Sequence, residues 1–135
     1  RSSEIYESEP LLKMKQPNYF NQVVCGWTEL TPVELLEKCQ QIETQLGRVR
    51  KEHWGSRKID LDILSYGKDI VDTERIKIPH PEMEKRSFVL LPLLELSPDW
   101  VHPKSGKSIQ ILWENWLKTN NEELPQVLNP KNQSS

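Results

Sequence analysis

One segment of the chain carries every signal of an amphipathic helix. Over residues 31–47, Thr31 is a typical N-cap, Pro32 suits the first helical position and Glu34 completes a capping box. Gly47 is typical of the residue just past a helix end. The apolar positions recur at helical spacing and predict a buried stripe, made of Leu35, Cys39, Ile42 and Leu46.

Two further helices are predicted in the second half of the chain. The segment 87–96 is apolar enough for a buried helix, in which Pro92 marks a kink or the first turn. The segment 108–120 begins at Ser108, a typical N-cap, and its apolar residues return every three to four positions. The side chains predicted to be buried on this last helix are Ile109, Leu112, Trp113 and Trp116.

The remaining hydrophobic patterns alternate or are short, which is typical of strands and turns. Residues 19–30 are rich in β-branched and aromatic side chains, and residues 59–66, IDLDILSY, predict a second strand. Residues 68–86 predict a hairpin or an extended loop with a Pro-His-Pro turn. Residues 7–17, ESEPLLKMKQP, are predicted to form a loop bounded by Pro10 and Pro17, and 121–135 a frayed tail or linker. In the first strand, alternation places one set of side chains on the same face, namely Tyr19, Asn21, Val23, Cys25 and Trp27.

The composition is that of one small domain without a bias toward nucleic acid or membrane. The chain has 135 residues, 36% of them hydrophobic, and its 18 basic and 20 acidic residues give a net charge of −2. We expect one domain over 1–120 with 121–135 as its tail, and neither nucleic acid nor a membrane as a partner. Since no apolar run approaches the roughly 20 residues of a membrane span, we expect a cytoplasmic protein. The two cysteines lack metal-ligand spacing and are predicted to be reduced core residues.

Two carboxylates stand one residue apart inside the predicted strand at 59–66. Because successive side chains of a strand alternate faces, Asp60 and Asp62 point the same way, about 7 Å apart, and the apolar residues between and beside them point to the core. Like charges at this spacing repel unless a cation lies beside them, and carboxylate oxygens suit Mg²⁺ together with substrate phosphates. Two ordinary solvent-facing aspartates would leave the same pattern, so the spacing alone leaves both interpretations open.

The loop before this strand is basic and could hold phosphate. Guanidinium groups match phosphate oxygens in a bidentate way, and acids that hold a metal beside bases that hold phosphate are the arrangement that phosphoryl transfer needs. A loop that is basic only for solubility is the alternative. The basic residues are Arg48, Arg50, Lys51, Arg57 and Lys58.

Other side chains are candidates for ligand contact. Trp54 is either a core residue or a flat surface that stacks on a heterocycle. His80, between two prolines and six residues before Arg86, is either polar surface or a phosphate donor, and it has no partner at metal-ligand spacing. Gln40 and Glu43 share one face of the first predicted helix, where they contact either a ligand or water.

Taken in order, these segments resemble a known enzyme family. The sequences QPNYFNQVV, TPVELLEKCQQIETQLGRVR, HWGSRKIDLDILSYG and IPHPEMEKRSFVLLPLLEL are similar to those of the 6-hydroxymethyl-7,8-dihydropterin pyrophosphokinases of folate biosynthesis. The resemblance runs from about Ser2 to Leu112. It implies an α+β fold, a ferredoxin-like αβ sandwich with a mostly antiparallel sheet and helices packed on it. It also implies transfer of pyrophosphate from ATP to the pterin hydroxymethyl group, with release of AMP and a requirement for two Mg²⁺ ions.

The resemblance suggests roles for the residues at matching positions. Asp60 and Asp62 match the pair that binds both Mg²⁺ ions, and Arg48 and Arg57 match catalytic arginines on a flexible loop. The positions that match ATP contacts are Gln40, Glu43, Arg50, Trp54, Ile63, Arg75, Lys77, His80 and Arg86. The positions that match pterin contacts are Ser8, Glu9, Leu11, Tyr19, Asn21, Trp54 and the stacking ring Phe88.

The resemblance is incomplete at the start of the chain. The family begins with a strand, a Gly-Ser-Asn turn and a helix, which do not precede Ser2 here. Because the first strand of a ferredoxin-like sheet is central, its absence would leave backbone groups and an apolar surface unpaired. We therefore expect either that these residues come from a longer protein or that another segment fills the gap. A non-catalytic or truncated remnant of the fold is therefore one alternative, and a different nucleotide-using transferase with a D-x-D metal pair is another. We also expect fusion to, or association with, other folate-pathway enzymes.

Overall fold

The computed structural model describes residues 1–8, 19–51 and 59–128, without the side chains of 48–51. Within these ranges the chain has a mixed fold with three α-helices and two small antiparallel sheets. It divides into two compact units, Arg1–Trp27 with Glu82–Ser135 and Thr28–Pro81. None of the helices in these ranges combines the length and the apolar character that crossing a membrane requires.

The first unit is built on a three-stranded antiparallel sheet. Its central strand is β1 (Tyr6–Ser8), flanked by β2 (Tyr19–Asn21) and by β5 (Gln126–Val127). In the register of β1 and β2, Tyr6 lies opposite Asn21 and Ser8 lies opposite Tyr19. This register places the two predicted pterin-contacting residues of β2 directly beside β1.

Two strands of this sheet differ from the sequence predictions. The loop predicted for 7–17 is wrong over Glu7 and Ser8, which belong to β1. The frayed tail predicted for 121–135 is wrong over β5, where the Leu128 N–H also donates to the Ile5 carbonyl at 2.7 Å. Each strand is stabilised by a partner distant in sequence, which a local pattern of hydrophobic residues does not reveal.

The helices of the first unit are α2 (Ser87–Leu96) and α3 (Ile109–Thr119). The Ser108 hydroxyl accepts a hydrogen bond from the Ile111 N–H at 3.2 Å, which confirms the predicted N-cap. Pro92 is buried in the interior of α2 rather than in its first turn. The side chains predicted to be buried on α3 are all buried, namely Ile109, Leu112, Trp113 and Trp116.

A pair of tryptophans joins α3 to the short 3₁₀ turn at Met83–Lys85. The rings of Trp113 and Trp116 are parallel within 2°, with centroids 5.5 Å apart. The indole N–H of Trp116 donates to the Lys85 carbonyl at 3.2 Å. Since a buried indole N–H needs a partner, this bond fixes the turn that leads into α2.

Three hydrogen bonds tie the N-terminal segment to the last turn of α2. The Tyr6 hydroxyl donates to Glu95 Oε1 at 2.6 Å, and the Glu4 N–H donates to Glu95 Oε2 at 3.2 Å. The Arg1 guanidinium donates to the Leu96 carbonyl at 2.6 Å. Burial, the hydrogen bond to Glu95 and the negative charges of Glu95 and Glu4 raise the pKa of Tyr6 above its ordinary value.

The raised pKa of Tyr6 predicts a loss of stability in alkali. The folded protein keeps the phenol proton where the unfolded chain releases it, so this contribution is complete below about pH 10 and declines as pH rises further, by at most about 1.4 kcal/mol per pH unit. We expect Tyr6→Phe to lower the free energy of unfolding by about 1–2 kcal/mol at pH 7. The difference from wild type should shrink above pH 10 in denaturant titrations, and a constant difference from pH 7 to 11 would contradict this assignment.

The second unit consists of α1 (Pro32–Lys51) and a hairpin of β3 (Val71–Asp72) with β4 (Lys77–Ile78). The capping box of α1 forms as predicted. The Glu34 N–H donates to Thr31 Oγ1 at 3.2 Å, and the Thr31 N–H donates to Glu34 Oε1 at 2.8 Å. Two N–H groups at the start of the helix are thereby satisfied.

Removal of the capping box should be measurable as a loss of stability. We expect Thr31→Ala to lower the free energy of unfolding by about 1 kcal/mol, because one N–H of the first turn loses its acceptor. Thr44→Ala on the same helix is the matched control: the Thr44 hydroxyl only donates back to the Gln40 carbonyl at 3.0 Å, so the loss should stay within about 0.5 kcal/mol. Urea denaturation of both variants checks this, and equal losses would count against the cap.

Two predictions for this unit are wrong. The helix does not end before Gly47 but continues to Lys51, because the Arg-Val-Arg-Lys sequence that follows is compatible with a helix and Gly47 does not adopt a positive φ there. Residues 59–66 are not a strand, since in the described part of the chain no neighbouring strand pairs with them. The predicted stripe on α1 is only half-buried, and Leu46 is 37% exposed.

Candidate active site

The D-x-D segment keeps its alternation although it is not a strand. Asp60 and Asp62 are exposed, whereas Ile59, Leu61 and Ile63 are half-buried. The two carboxylates therefore face solvent, while the apolar side chains between and beside them are half-buried. Carboxylate oxygens are hard ligands of the kind that Mg²⁺ takes.

Hydrogen bonds on both sides hold this segment in place. Glu43 of α1 accepts a hydrogen bond from the Leu61 N–H, the peptide group between the two aspartates, at 2.5 Å. On the other side, the His80 N–H donates to the Leu64 carbonyl at 2.8 Å, just after β4. The backbone that carries both aspartates is thus fixed by α1 and by the end of the hairpin.

The carboxylate of Glu43 also influences the thiol beside it on α1. Burial and then the negative charge of Glu43 raise the pKa of Cys39. Cys39 is half-buried and Cys25 is exposed, so the prediction of two core cysteines is wrong for Cys25. A raised pKa keeps the Cys39 thiol protonated at neutral pH, and it therefore adds no charge beside Glu43.

Two cations predicted to contact ATP are paired with carboxylates at the hairpin. Arg75 Nη2 lies 2.9 Å from Glu37 Oε2 of α1, and Lys77 Nζ lies 2.7 Å from Asp72 Oδ1 of β3. All four side chains are at least half exposed, and exposed ion pairs contribute only about 0–1 kcal/mol. Phosphate oxygens, which form stronger charge-assisted hydrogen bonds, can replace such partners.

Of the residues predicted to contact the pterin, all those that the structure describes belong to the first unit. The register of β1 and β2 places Ser8, Tyr19 and Asn21 on one side of the two strands, because residues opposite one another in an antiparallel pair share a side. Phe88 lies in the first turn of α2, and the Arg86 guanidinium lies 5.9 Å from its ring centroid. These residues supply an aromatic face, a cation and short polar groups within one unit.

Some predicted site residues lie outside this description. Glu9, Leu11, Trp54 and Arg57 are outside the described residues, and so are the side chains of Arg48 and Arg50, whose backbone belongs to α1. Of the other ATP-contacting candidates in the second unit, Gln40 is exposed on α1 and Ile63 is half-buried next to Asp62. The roles suggested for all of these residues stay predictions.

The sequence did not indicate the partners of these groups. Glu37, which pairs with Arg75, belongs to a helix that only the fold brings beside the hairpin, although it lies three residues before Gln40. Asp72, which pairs with Lys77, lies opposite it in the hairpin. The hydrogen bond between Tyr6 and Glu95 joins residues 89 positions apart. Only the alternation around Tyr6 and Ser8, two residues apart, could have suggested that they share a side of a strand.

Comparison with known proteins supports the resemblance seen in the sequence. Residues 1–98 match the family described as 7,8-dihydro-6-hydroxymethylpterin-pyrophosphokinase (HPPK). The chain belongs to this family. The matched range includes every candidate site residue of both units, from Ser8 to Phe88.

Several curated relatives carry the same HPPK name. The 2-amino-4-hydroxy-6-hydroxymethyldihydropteridine pyrophosphokinase of Haemophilus influenzae is 48% identical over 104 residues, which are 77% of this chain and 65% of that protein. The protein of the same name from Synechocystis is 49% identical over 94 residues, 70% of this chain and 48% of that protein. The chain therefore spans about half to two thirds of the length of these two relatives.

One relative is much longer than the chain. The folic acid synthesis protein fol1 of Pneumocystis carinii is 46% identical over 114 residues, which are 84% of this chain but only 15% of that protein. In that relative, the HPPK-like region is one part of a longer polypeptide.

Proposed function

We propose that this chain transfers pyrophosphate from ATP to the hydroxymethyl group of 6-hydroxymethyl-7,8-dihydropterin in folate biosynthesis. The observation that carries the proposal is the D-x-D segment of an HPPK family member, with its peptide group held by Glu43 and its two carboxylates exposed. In the reaction, the hydroxymethyl oxygen forms a bond to the β-phosphorus of ATP, and the bond from this phosphorus to the α-phosphate oxygen breaks. The hydroxyl proton is lost to solvent and AMP leaves.

Asp60 and Asp62 fit a site for Mg²⁺. Their hard oxygen ligands are exposed, and Mg²⁺ is commonly held by one or two carboxylates together with water and substrate phosphates. Among the described residues no group of three or more His, Cys, Asp or Glu side chains could hold a metal alone, which agrees with a site that substrate oxygens complete. When bound, Mg²⁺ ions, of which we propose two, neutralise the negative charge of the polyphosphate.

The basic residues of the second unit are proposed to bind the polyphosphate and the ribose of ATP. Arg75 and Lys77 exchange their exposed carboxylate partners for phosphate oxygens, and His80, whose N–H donates to the Leu64 carbonyl, adds a further donor at the end of the hairpin. Arg48 and Arg57 are proposed to engage the transferred group. The other proposed ATP contacts are Gln40, Glu43, Arg50, Trp54, Ile63 and Arg86.

The residues of the first unit are proposed to bind the pterin. Phe88 offers a ring for stacking, and the Asn21 amide, which can donate and accept, suits the alternating donors and acceptors of a pterin edge. Hydrogen bonds to a heterocycle give specificity, because an analogue that lacks one group leaves a buried partner unpaired. The other proposed pterin contacts are Ser8, Glu9, Leu11, Tyr19 and Trp54.

We further propose the complete fold of this enzyme, its fusion to other enzymes and its location in the cell. The HPPK family membership and the two antiparallel sheets support a ferredoxin-like αβ sandwich as the complete fold, with an enzyme domain that extends beyond the predicted limit at 120 to include β5. A relative in which the HPPK-like region is 15% of the chain supports fusion to other folate enzymes. We propose that the enzyme is cytoplasmic, where ATP is available.

A binding and turnover experiment distinguishes this function from its alternatives. We expect isothermal titration calorimetry to detect binding of a non-hydrolysable ATP analogue with Mg²⁺, and then of 6-hydroxymethylpterin, and we expect AMP rather than ADP as the product of turnover. Binding of the nucleotide without the pterin would favour a different D-x-D transferase. Binding of neither would favour a non-catalytic remnant and would overturn the proposal.

A further inference from the structure

A buried tyrosine lies on the same side of the sheet as the proposed pterin contacts. Tyr6 is two residues before Ser8 on β1 and directly opposite Asn21 on β2, so the three side chains point to the same side of the strand pair. Residues opposite one another have Cβ atoms about 4.5–5.5 Å apart. Tyr6 is only 5% exposed, and its hydroxyl leaves the sheet to reach Glu95 of α2 at 2.6 Å.

The helix partner of Tyr6 shares a face with the proposed stacking ring. Phe88 and Glu95 are seven residues apart, which is two helical turns, so both point to the same face of α2. About 10 Å of helix axis separates them. The face of α2 that carries the Glu95 carboxylate therefore also carries Phe88. The hydrogen bond between Tyr6 and Glu95 sets the distance between this face of α2 and the side of the β1–β2 pair that carries Ser8 and Asn21.

The hydrogen bond between the Tyr6 hydroxyl and Glu95 is of a strong kind. The acceptor is a carboxylate, and hydrogen bonds to charged acceptors are shorter and roughly twice as strong as neutral ones. The same carboxylate also accepts the Glu4 N–H at 3.2 Å, so its position is fixed from two points of the N-terminal segment.

We infer that Tyr6 and Glu95 are positioning residues for the pterin, which hold the ring of Phe88 at the correct distance from Ser8 and Asn21. The inference rests on the proposed function, since it concerns the same pterin site. Neither residue contacts the substrate. Their effect is exerted through Phe88 and the β1–β2 pair, where a shift of about 1 Å is enough to reduce binding and rate strongly.

Binding measurements on three variants test this inference. We expect Tyr6→Phe and Glu95→Ala each to raise the dissociation constant of 6-hydroxymethyl-7,8-dihydropterin, followed by its fluorescence, about tenfold. Glu95→Gln should stay within about threefold of wild type, because the amide oxygen still accepts from the phenol. The double variant Tyr6→Phe/Glu95→Ala should bind no more weakly than the weaker single variant, since both changes remove one interaction. The dissociation constant of the ATP analogue should not change.

A destabilised control separates positioning from a general loss of stability. Ser108→Ala removes the N-cap of α3 in the same unit without touching β1, β2 or α2, so it should lower the melting temperature but leave pterin affinity unchanged. Pterin binding that weakens in Ser108→Ala as much as in Tyr6→Phe would overturn the inference, and so would unchanged binding in Tyr6→Phe and Glu95→Ala. A wild-type chain that binds no pterin would overturn the proposed function together with the inference.

Discussion

Asp62→Ala is expected to reduce AMP formation about a thousandfold or more while the pterin still binds. The exposed carboxylate of Asp62 is half of the only proposed cation site, and the charge of a transferring phosphoryl group is not stabilised without it. The described pterin contacts belong to the unit Arg1–Trp27 with Glu82–Ser135, which does not include Asp62. AMP release measured by chromatography and pterin affinity measured by fluorescence check the two halves of this prediction.

Asp69→Ala is the matched control for this variant. Asp69 is an exposed aspartate of the same unit, placed in the turn after Tyr66, where its N–H donates to the Tyr66 carbonyl at 3.0 Å. The backbone bond does not depend on the side chain, so turnover should stay within about twofold of wild type. If Asp62→Ala retained a rate within tenfold of that control, the metal role of the D-x-D pair would be wrong.

Glu43→Ala is expected to lower kcat/KM for ATP with Mg²⁺ about ten- to a hundredfold. Glu43 accepts the Leu61 N–H between the two aspartates, and a hydrogen bond to a charged acceptor contributes about 1.5–3 kcal/mol. Without it, the peptide group between Asp60 and Asp62 loses its partner on α1, and the positions of both carboxylates are less well defined. Pterin affinity should not change.

Two further variants of α1 serve as controls for Glu43→Ala. Glu43→Gln should lose less activity than Glu43→Ala, because the amide oxygen can still accept the Leu61 N–H without the charge. Gln41→Ala changes an exposed residue of the same helix and should leave kcat/KM near wild type. Equal rates for Glu43→Ala and Gln41→Ala would mean that the bond to Leu61 has no role in catalysis.

Elements whose signals are local were predictable from the sequence. The Thr31–Glu34 capping box and the Ser108 cap form between residues three apart, and the four buried positions of α3 follow from helical spacing alone. The hairpin at 71–78 likewise closes over a short turn between Thr73 and Ile76. In each case both interaction partners lie within a few residues of one another in the sequence.

Elements that depend on distant partners were not predictable. β1 and β5 pair across more than a hundred residues, and residues 59–66 have the alternation of a strand without a ladder partner in the described ranges. The alternation still correctly indicated which side chains are exposed, because Asp60 and Asp62 avoid burial whether or not a ladder forms.

The candidate site likewise combines residues that the sequence indicated with contacts that only the fold reveals. The resemblance in sequence indicated Glu43 and Arg75, but only the fold shows that Glu43 holds the Leu61 peptide group and that Arg75 pairs with Glu37. Side-chain partners on different elements follow from packing, which spacing along the chain does not encode.

Three of the four tryptophans of the first unit lie at the two extremes of exposure, and the fourth, Trp100, is half-buried. Trp113 and Trp116 are stacked and buried, so a dissolved quencher such as iodide does not reach them in the folded protein. Trp27, six residues after β2, is fully exposed and is quenched freely. Iodide quenching of Trp27 therefore reports the segment after the strand of Tyr19 and Asn21, whereas the emission of Trp113 and Trp116, which reports the packing of α3, is shielded from iodide.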